Sequence, residues 1–491
     1  MKKMFRKSLA LLLALMMLAT CLLAGCGDGK KDGEGEKKTV AFGVKGDIPF
    51  VSVDWEFQTG NQITFDYEQV GPGYGTVEKR TVAENVPIEN WDFGDGVYQN
   101  SYKNVTPAMY QELVKTLKDS GYTVYSEGDI NGDCFYTTLT YKSYVYNISY
   151  FANTQLAYIN GSPERPLSPY LLQDNVSTQS TAIEGKVATL TMLPWQEGGG
   201  DNYIIQLSNG HYLLFDGGSH FMTVEVLKFL EENAPEGQIP VVDAWFVTHG
   251  HYDHVGWTKA FYGTYDQLNG LLYFGEAANR IKVNGIYWNQ TNSDVIEHTI
   301  YGWRSDGFRN KNQNAWPYAI EDAAFNMYTE DGGQTPIYRP QAGQTYYFKD
   351  LTVEIPYCQE QIIHDEYAMD LNASSTWYVV RANDKVFLDG GDAEYMNMDY
   401  VRTAYSSNYG AFAGNVDIMN AFHHGHNIYD QHIDVFHAPI VFYTSKEMFK
   451  WAAEYTAANR KMMEEYGVEY YNYGTGGYQY SFGTGEVTKI K

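Results

Sequence analysis

The sequence predicts a layered α/β domain over residues 184–491, preceded by a smaller α+β unit over residues 39–180. Three observations predict it. Strand-like apolar segments alternate with helical ones in the second stretch, the pattern of layered α/β architecture. Four of those strand-like segments run directly into clusters of His, Asp and Gly. All twelve histidines lie in the second stretch and none in the first.

The first residues are basic (Lys2, Lys3, Arg6, Lys7), and an apolar run from Leu9 to Leu23 follows. This is the layout of a secretory signal peptide, residues 1–25, and it is short for a membrane span, which needs about 20 apolar residues. Leu23-Ala24-Gly25-Cys26 resembles the bacterial lipobox, which implies cleavage before Cys26 and lipidation of that cysteine. A lipid there makes the protein anchored to a membrane rather than spanning it, so an extracytoplasmic location on the cell membrane is expected. Residues 26–38 are charged and Gly-rich, a flexible tether with nothing to bury.

At 491 residues the chain is too long for one ordinary core. Its net charge of −25 becomes −29 once the four leader cations are removed. So acidic a surface disfavours nucleic acid as a partner. Cys134 and Cys358 fall in different predicted units, so no disulfide framework is expected, and no cysteine cluster offers a zinc site. The 43 tyrosines are read first as strand and core packing, ahead of carbohydrate-stacking surfaces.

In the first unit, Thr106 and Pro107 open a helix whose apolar residues Tyr110, Leu113, Val114 and Leu117 share one face, with Gly121 ending it. Strand-like stretches lie around it at 134–140 and 144–159, and the unit reads as a spacer or binding module. Residues 173–183 are a polar linker. In the second unit strands are expected at 186–193, 202–207, 211–216 and 244–248, and helices at 223–233 and 446–465.

The chemistry sits at four strand ends. One is His211 to Asp216-Gly217-Gly218; another is Thr248-His249-Gly250-His251-Tyr252-Asp253-His254 after an apolar strand. The third is Val386 to Asp389-Gly-Gly-Asp392, and the fourth Ile418 to His423-His424-Gly425-His426. Imidazole and carboxylate suit zinc, iron or manganese, and strand ends hold ligands rigidly. Two metal ions about 3.5–4 Å apart need roughly this many ligands.

His249-x-His251-x-Asp253-His254, with Asp216-Gly-Gly before it and Gly391-Asp392 after, resembles the signature of the metallo-β-lactamase superfamily. Asn372-Ala-Ser-Ser375, Gly391-Asp392-Ala393, His423-His424-Gly425 and the tail from Tyr466 resemble one branch, the hydrolase domain of the competence protein ComEC. The resemblance covers about residues 186–491 and implies a four-layer αββα sandwich with its site at the sheet edge. It implies two divalent metal ions, zinc or manganese: His249 and His251 on one, Asp253, His254 and His424 on the other, and Asp392 bridging. His423 competes with His424 as the last ligand, and Asp216 is expected to orient the signature loop from behind.

Two departures matter. Most of the superfamily supplies one more histidine to the first metal where this chain has Asn372, as the ComEC-like branch does, so that position is expected to bind more weakly or to prefer a harder ion. His364, eight residues earlier, is the alternative ligand. His426 stands where the branch usually has Ser, as a candidate substrate contact or proton donor. His211, His220, His298, His432 and His437 read as structural. The expected chemistry is attack of a metal-activated hydroxide on an ester, held in line by Asp253 and Asp392, with a phosphodiester as first choice of a small-molecule or polymer substrate. The rival is a non-catalytic ligand-binding lipoprotein on a degenerate scaffold. No protein partner is readable.

Overall fold

The structure is a computed structural model and describes residues 37–42, 51–56, 64–65, 80–81, 89–92, 98–102, 104–163, 166–171, 187–195, 200–261, 277–289, 317–358, 372, 375–393, 416–425, 436–445 and 450–490. The signal-like run, Cys26, the 173–183 linker, His298, His364, His426 and His432 lie outside the described residues.

Two hairpins come first: β1 (Lys37–Phe42) with β2 (Val51–Glu56), and β3 (Thr64–Phe65) with β4 (Arg80–Thr81). An antiparallel sheet follows, made of β5 (Glu89–Asp92), β6 (Tyr98–Tyr102), β7 (Thr123–Ile130), β8 (Cys134–Tyr141), β9 (Tyr144–Phe151) and β10 (Leu156–Pro163), in the order β5-β6-β10-β9-β8-β7. Helix α1 (Pro107–Asp119) begins as expected: Met109 N–H donates to the Thr106 hydroxyl at 3.3 Å, and proline occupies the first turn. Its buried stripe of Met109, Tyr110, Leu113, Val114 and Leu117 packs on the sheet, with Tyr110 stacked on Tyr150 at 5.0 Å.

β9 is buried along its whole length because the second unit covers the other face of this sheet. Buried amides stitch the two units. Asn160 Nδ2 donates to Gln341 Oε1 at 3.0 Å, and Gln344 Nε2 to Thr138 Oγ1 at 3.4 Å. The first unit is therefore packed onto the second. Cys134 and Cys358 both lie buried in the apolar cluster that the units share.

The second unit holds two sheets. The first contains β11 (Thr189–Met192), β12 (Tyr203–Gln206), β13 (Tyr212–Phe215), β14 (Val241–Val247), β15 (Lys282–Val283), β16 (Ile286–Trp288), β17 (Ile337–Tyr338), β25 (Tyr478–Ser481) and β26 (Val487–Lys489). The second contains β18 (Thr345–Tyr347), β19 (Thr352–Tyr357), β20 (Trp377–Ala382), β21 (Lys385–Asp389), β22 (Ile418–Asn420), β23 (Ile440–Tyr443) and β24 (Glu469–Asn472). Each sheet passes from antiparallel pairing (β11-β12-β13; β18-β19-β20-β21) to parallel pairing (β13-β14-β16-β17; β21-β22-β23-β24). The parallel strands are buried on both faces, which is why they read as continuous apolar runs.

Aromatic rings fill the space between the sheets: Phe215 of the first meets Tyr378 and Phe387 of the second at 5.7 and 6.0 Å. Helices α2 (Thr223–Asn233) and α4 (Pro317–Ala324) cover the outer face of the first sheet, Val226, Leu230 and Ile320 joining Leu214 and Trp245, with the one-turn α3 (Ala277–Arg280) beside them. Helix α5 (Lys450–Glu465) packs beside β24. The layers run helix, sheet, sheet, helix. Tyr146, Tyr150, Tyr203, Tyr212, Tyr287, Tyr346, Tyr378 and Tyr443 are fully buried, so much of the tyrosine serves packing.

Some boundaries differ from the sequence expectation. The strand expected at 186–193 is only Thr189–Met192, while β14 starts at Val241 rather than Ala244 because the residues after Pro240 already pair with β15. α2 spans the expected residues, and α5 is described from Lys450. The four functional strand ends do not share one sheet edge. β13 and β14 belong to the first sheet and β21 and β22 to the second, and the two sheets face each other at that end.

Candidate metal centre

The chain turns sharply wherever it leaves these strands. Asp216, His423 and His424 adopt left-handed φ values of 56°, 51° and 54°. Gly391 does so at 55°, and a Cβ there would lie 2.6 Å from Thr248 Cβ, so glycine lets the β21 turn press against the end of β14. That contact brings Asp392 of the second sheet onto the histidine loop of the first.

Asp392 sits in the middle. Its Oδ1 lies 3.1 Å from His254 Nε2, and its Oδ2 lies 3.6–3.7 Å from the Nε2 atoms of His249, His423 and His424. His249 Nε2 and His251 Nδ1 face each other at 3.0 Å, and His424 Nε2 lies 3.2 Å from Asp253 Oδ2. One ligand atom from each of His249, His251 and Asp392 falls within 4.8 Å of the others, and the same holds for Asp201, His254, Asp392 and His424. Asp392 belongs to both groups, as a bridging ligand would.

The partners behind the rings set which nitrogen is free. Asp216 accepts from Thr248 N–H at 2.8 Å and from Thr248 Oγ1 at 2.7 Å, and His254 Nδ1 lies 2.6 Å from the same carboxylate. His254 therefore keeps Nδ1 protonated toward Asp216 and turns Nε2 inward. Behind His249, Thr248 Oγ1 stands 3.1 Å and Ser375 Oγ 3.3 Å from Nδ1. Behind His424, Thr444 Oγ1 stands 3.2 Å and Asp201 Oδ1 3.3 Å from Nδ1.

The electrostatics follow from burial and charge. Burial and neighbouring His254 push His249 well below its ordinary value, so it is a neutral imidazole ready to ligate. Burial lowers His254 and His424, but the adjoining carboxylates of Asp392 with Asp216 or Asp201 outweigh it and raise both. Burial alone would raise Asp253, yet its hydrogen bond to His424 and the His254 charge hold it at about 2. Asp392 is likewise held well below the usual carboxylate range by the surrounding histidines despite its burial. Asp389, which accepts from Gly391 N–H at 3.0 Å and so shapes the turn, is pushed well up by burial and by Asp216 and Asp201.

These residues fit a divalent metal ion. His254 Nε2 and Asp392 Oδ1 are buried without a hydrogen-bond partner, although they lie near each other. His249 Nε2 and His251 Nδ1, within hydrogen-bond distance at 3.0 Å, are both atoms that a cation could hold in place of the shared proton.

The sequence-read residues His249, His251, Asp253, His254, Asp392 and His424 thus converge, with Asp216 behind His254. Asn372 lies close by, its Nδ2 3.3 Å from His423 Nε2. His424 is the more buried of the two adjacent histidines and the one that contacts Asp253, whereas His423 is 22% exposed. His211 pairs with Asp243 at 2.9 Å outside the cluster, and the His220 ring lies tilted against Phe221 at 3.9 Å. Sequence reasoning missed Asp201, whose signal is its place after Gly198-Gly-Gly200 at the start of β12, and the supporting hydroxyls of Ser375 and Thr444. It also missed Tyr473, whose phenol is pushed well up by burial and the nearby Asp201 and Asp253, and so stays a neutral donor beside the site.

Comparison with known proteins finds likeness to solved structures and a family-model match over the segment carrying the signature. Among solved structures, the chain resembles a mutant of the CmlA beta-hydroxylase with a TM-score of 0.33 and 10% identity, over 62% of this chain and 54% of that one. The chain thus spans about half the length of that hydroxylase. It resembles Zn(2+)-bound PqqB from Methylobacterium extorquens at a TM-score of 0.31 and 10% identity, over 62% of this chain and all of PqqB. For BJP-1, a subclass B3 metallo-beta-lactamase of Bradyrhizobium japonicum, the values are 0.27 and 11%, over 53% and 90% of the two chains. No curated protein matches the chain. Residues 195–268, from the approach to β12 through the histidine loop, match the family model of the metallo-beta-lactamase superfamily, and the mixed α/β fold is consistent with that superfamily's sandwich carrying a His/Asp cluster able to bind metal.

Proposed function

We propose that this protein is a metal-dependent hydrolase of phosphodiesters or related esters, held by a lipid on Cys26 at the outer face of a bacterial membrane. The observation that carries the reading is Asp392, a buried carboxylate shared by two groups of ligands whose histidines come from the ends of β14 and β22. The ComEC-like motifs at 372–375, 391–393 and 423–425 favour the phosphodiester within that class.

His249, His251 and Asp392 would hold one metal, and Asp253, His254, His424 and Asp392 the other, zinc or manganese. Bound there, such a pair supplies a water of near-neutral pKa and positive charge for a developing oxyanion. The chain's own residues do the aiming. Asp253, held ionised by His424, and Asp392 accept hydrogen bonds from the attacking water and fix its line of approach. His423, partly exposed beside Asn372, would be available to contact an ester oxygen of the substrate. Burial of His249 and His254 keeps bulk water from competing for their inward atoms.

The test is hydrolysis of bis-nitrophenyl phosphate by the full-length protein with and without a chelator. Activity removed by chelation, restored by zinc or manganese and reduced at least about a thousandfold in Asp253→Ala is expected. Activity that persists in that variant would sink the site assignment. Inactivity toward phosphodiesters, carboxylic esters, lactones and thioesters with metal bound would favour the non-catalytic ligand-binding lipoprotein. The anchor is tested by palmitate labelling, expected to vanish in Cys26→Ala.

A further inference from the structure

His254 and His424 are backed by carboxylates, whereas His249 is backed by hydroxyls alone. Behind His254 stands Asp216. Behind His424 stand Asp201 and Thr444, and the Thr444 hydroxyl donates its single hydrogen to Asp201. With that hydrogen committed, Thr444 can only accept from His424, so Nδ1 carries a proton, and Nε2, 3.2 Å from Asp253 Oδ2, is the nitrogen that would face a cation beside Asp253 and Asp392. Asp201 is itself fixed from three sides. Its backbone carbonyl accepts from Gly218 N–H at 2.7 Å, Asn420 Nδ2 reaches its Oδ2 at 3.4 Å, and Thr444 holds Oδ1. Asn420 and Thr444 end strands of the second sheet, whereas Asp201 leads into a strand of the first.

Asp201 lies close enough to His254, Asp392 and His424 to be counted with them as a ligand. Its contact with His424, however, is to Nδ1, the nitrogen turned away from the centre. A cation on the Nε2 side lies across the ring from it.

We propose that Asp201, acting with Thr444, is the positioning residue for His424, as Asp216 is for His254, and that this pair of buried carboxylates makes the position between His254 and His424 the tighter of the two. A carboxylate that accepts the Nδ1 proton fixes the ring and makes Nε2 more basic, and a hydroxyl does so less. The position on His249 and His251 has hydroxyl support and only the shared Asp392 as anion, while the neighbouring Asn372, whose amide nitrogen lies 3.3 Å from His423 Nε2, adds no charge. The inference rests on the metal-centre reading above.

The experiment is a zinc titration of the metal-free full-length protein against a fluorescent chelator, with no substrate present. The wild type should bind in two steps at least tenfold apart. Asp201→Asn should weaken the tighter step about 10- to 100-fold and leave the looser step unchanged. Thr444→Val should move the same step, and Thr444→Ser should restore it. Thermal melting of each metal-free variant tells positioning from scaffolding, since a merely structural role shifts the melt without singling out one step; should Asp201→Asn not fold, the Thr444 pair decides. Two equal steps, a tighter step within twofold of wild type in Asp201→Asn, or a silent Thr444→Val would each overturn the inference and leave the hydrolase reading intact. A wild-type protein that takes up no zinc or manganese would overturn both.

Discussion

His254 Nδ1 lies 2.6 Å from Asp216 Oδ2, and neither side chain is reached by solvent. The same carboxylate also accepts twice from Thr248, so one acid fixes both the start of the histidine loop and its last ligand. Asp216→Asn keeps the shape but presents an amide where His254 needs an acceptor. Zinc affinity should fall about 10- to 100-fold, read by equilibrium competition with a chelator. Affinity within twofold of wild type would mean that His254 is held by something else.

Gly425 follows the two left-handed histidines with φ of +86°, and a Cβ there would sit 2.0 Å from Cε2 of the Tyr443 ring. Gly425→Ala must displace either that ring or the turn carrying His424. We expect a loss of about 1–3 kcal/mol in urea unfolding, together with reduced metal content. Unchanged stability with full metal content would show that the turn has slack the packing does not reveal.

Gln344 joins the two units. Its Oε1 accepts from Gln341 N–H at 2.7 Å and Tyr346 O–H at 2.8 Å, and its Nε2 reaches Thr138 in the first unit. Gln344→Ala strands buried donors, at about 1–3 kcal/mol each. Denaturation followed by tyrosine fluorescence should show a lower midpoint and, if the units part first, a second transition. A midpoint identical to wild type would argue against the stitch as a source of stability.

His211 offers a pH test away from the metal residues. Burial lowers it, but the hydrogen bond and charge of Asp243 at 2.9 Å prevail and raise it above 6.5. A histidine raised in the folded state stabilises fully below its unfolded value, and that contribution is lost as pH rises through the folded value. His211→Asn should therefore lower the melting temperature more at pH 5.5 than at pH 8.5. An equal effect at both would mean that the ring acts by packing alone.

Much of the site is legible in the sequence. The ligand types cluster at 249–254, 389–392 and 423–424, and each cluster follows an apolar run that could only be a strand end. α1 and α2 are legible because capping and helical spacing are local: Thr106 caps its own third residue, and Val226, Leu227 and Leu230 recur at helical spacing. The first unit's relation to the second is not. Gln341, Gln344, Thr138 and Asn160 look like surface amides and strand hydroxyls in sequence, and only their apposition makes them a buried seam.

What the sequence by itself determined is the inventory and its local placement: imidazoles and carboxylates on turns at strand ends, glycines where the chain must bend. Those follow from periodicity and turn chemistry within a few residues. Which of those groups meet, and which atom of each ring is left free, was decided by tertiary structure alone. Asp201 and Thr444 are 243 residues apart and end up hydrogen-bonded behind His424 because two sheets close on one another, Asp201 leading into a strand of the first and Thr444 following a strand of the second. Hydrogen-bond partnership depends on distance in space, and no local pattern in the chain encodes it.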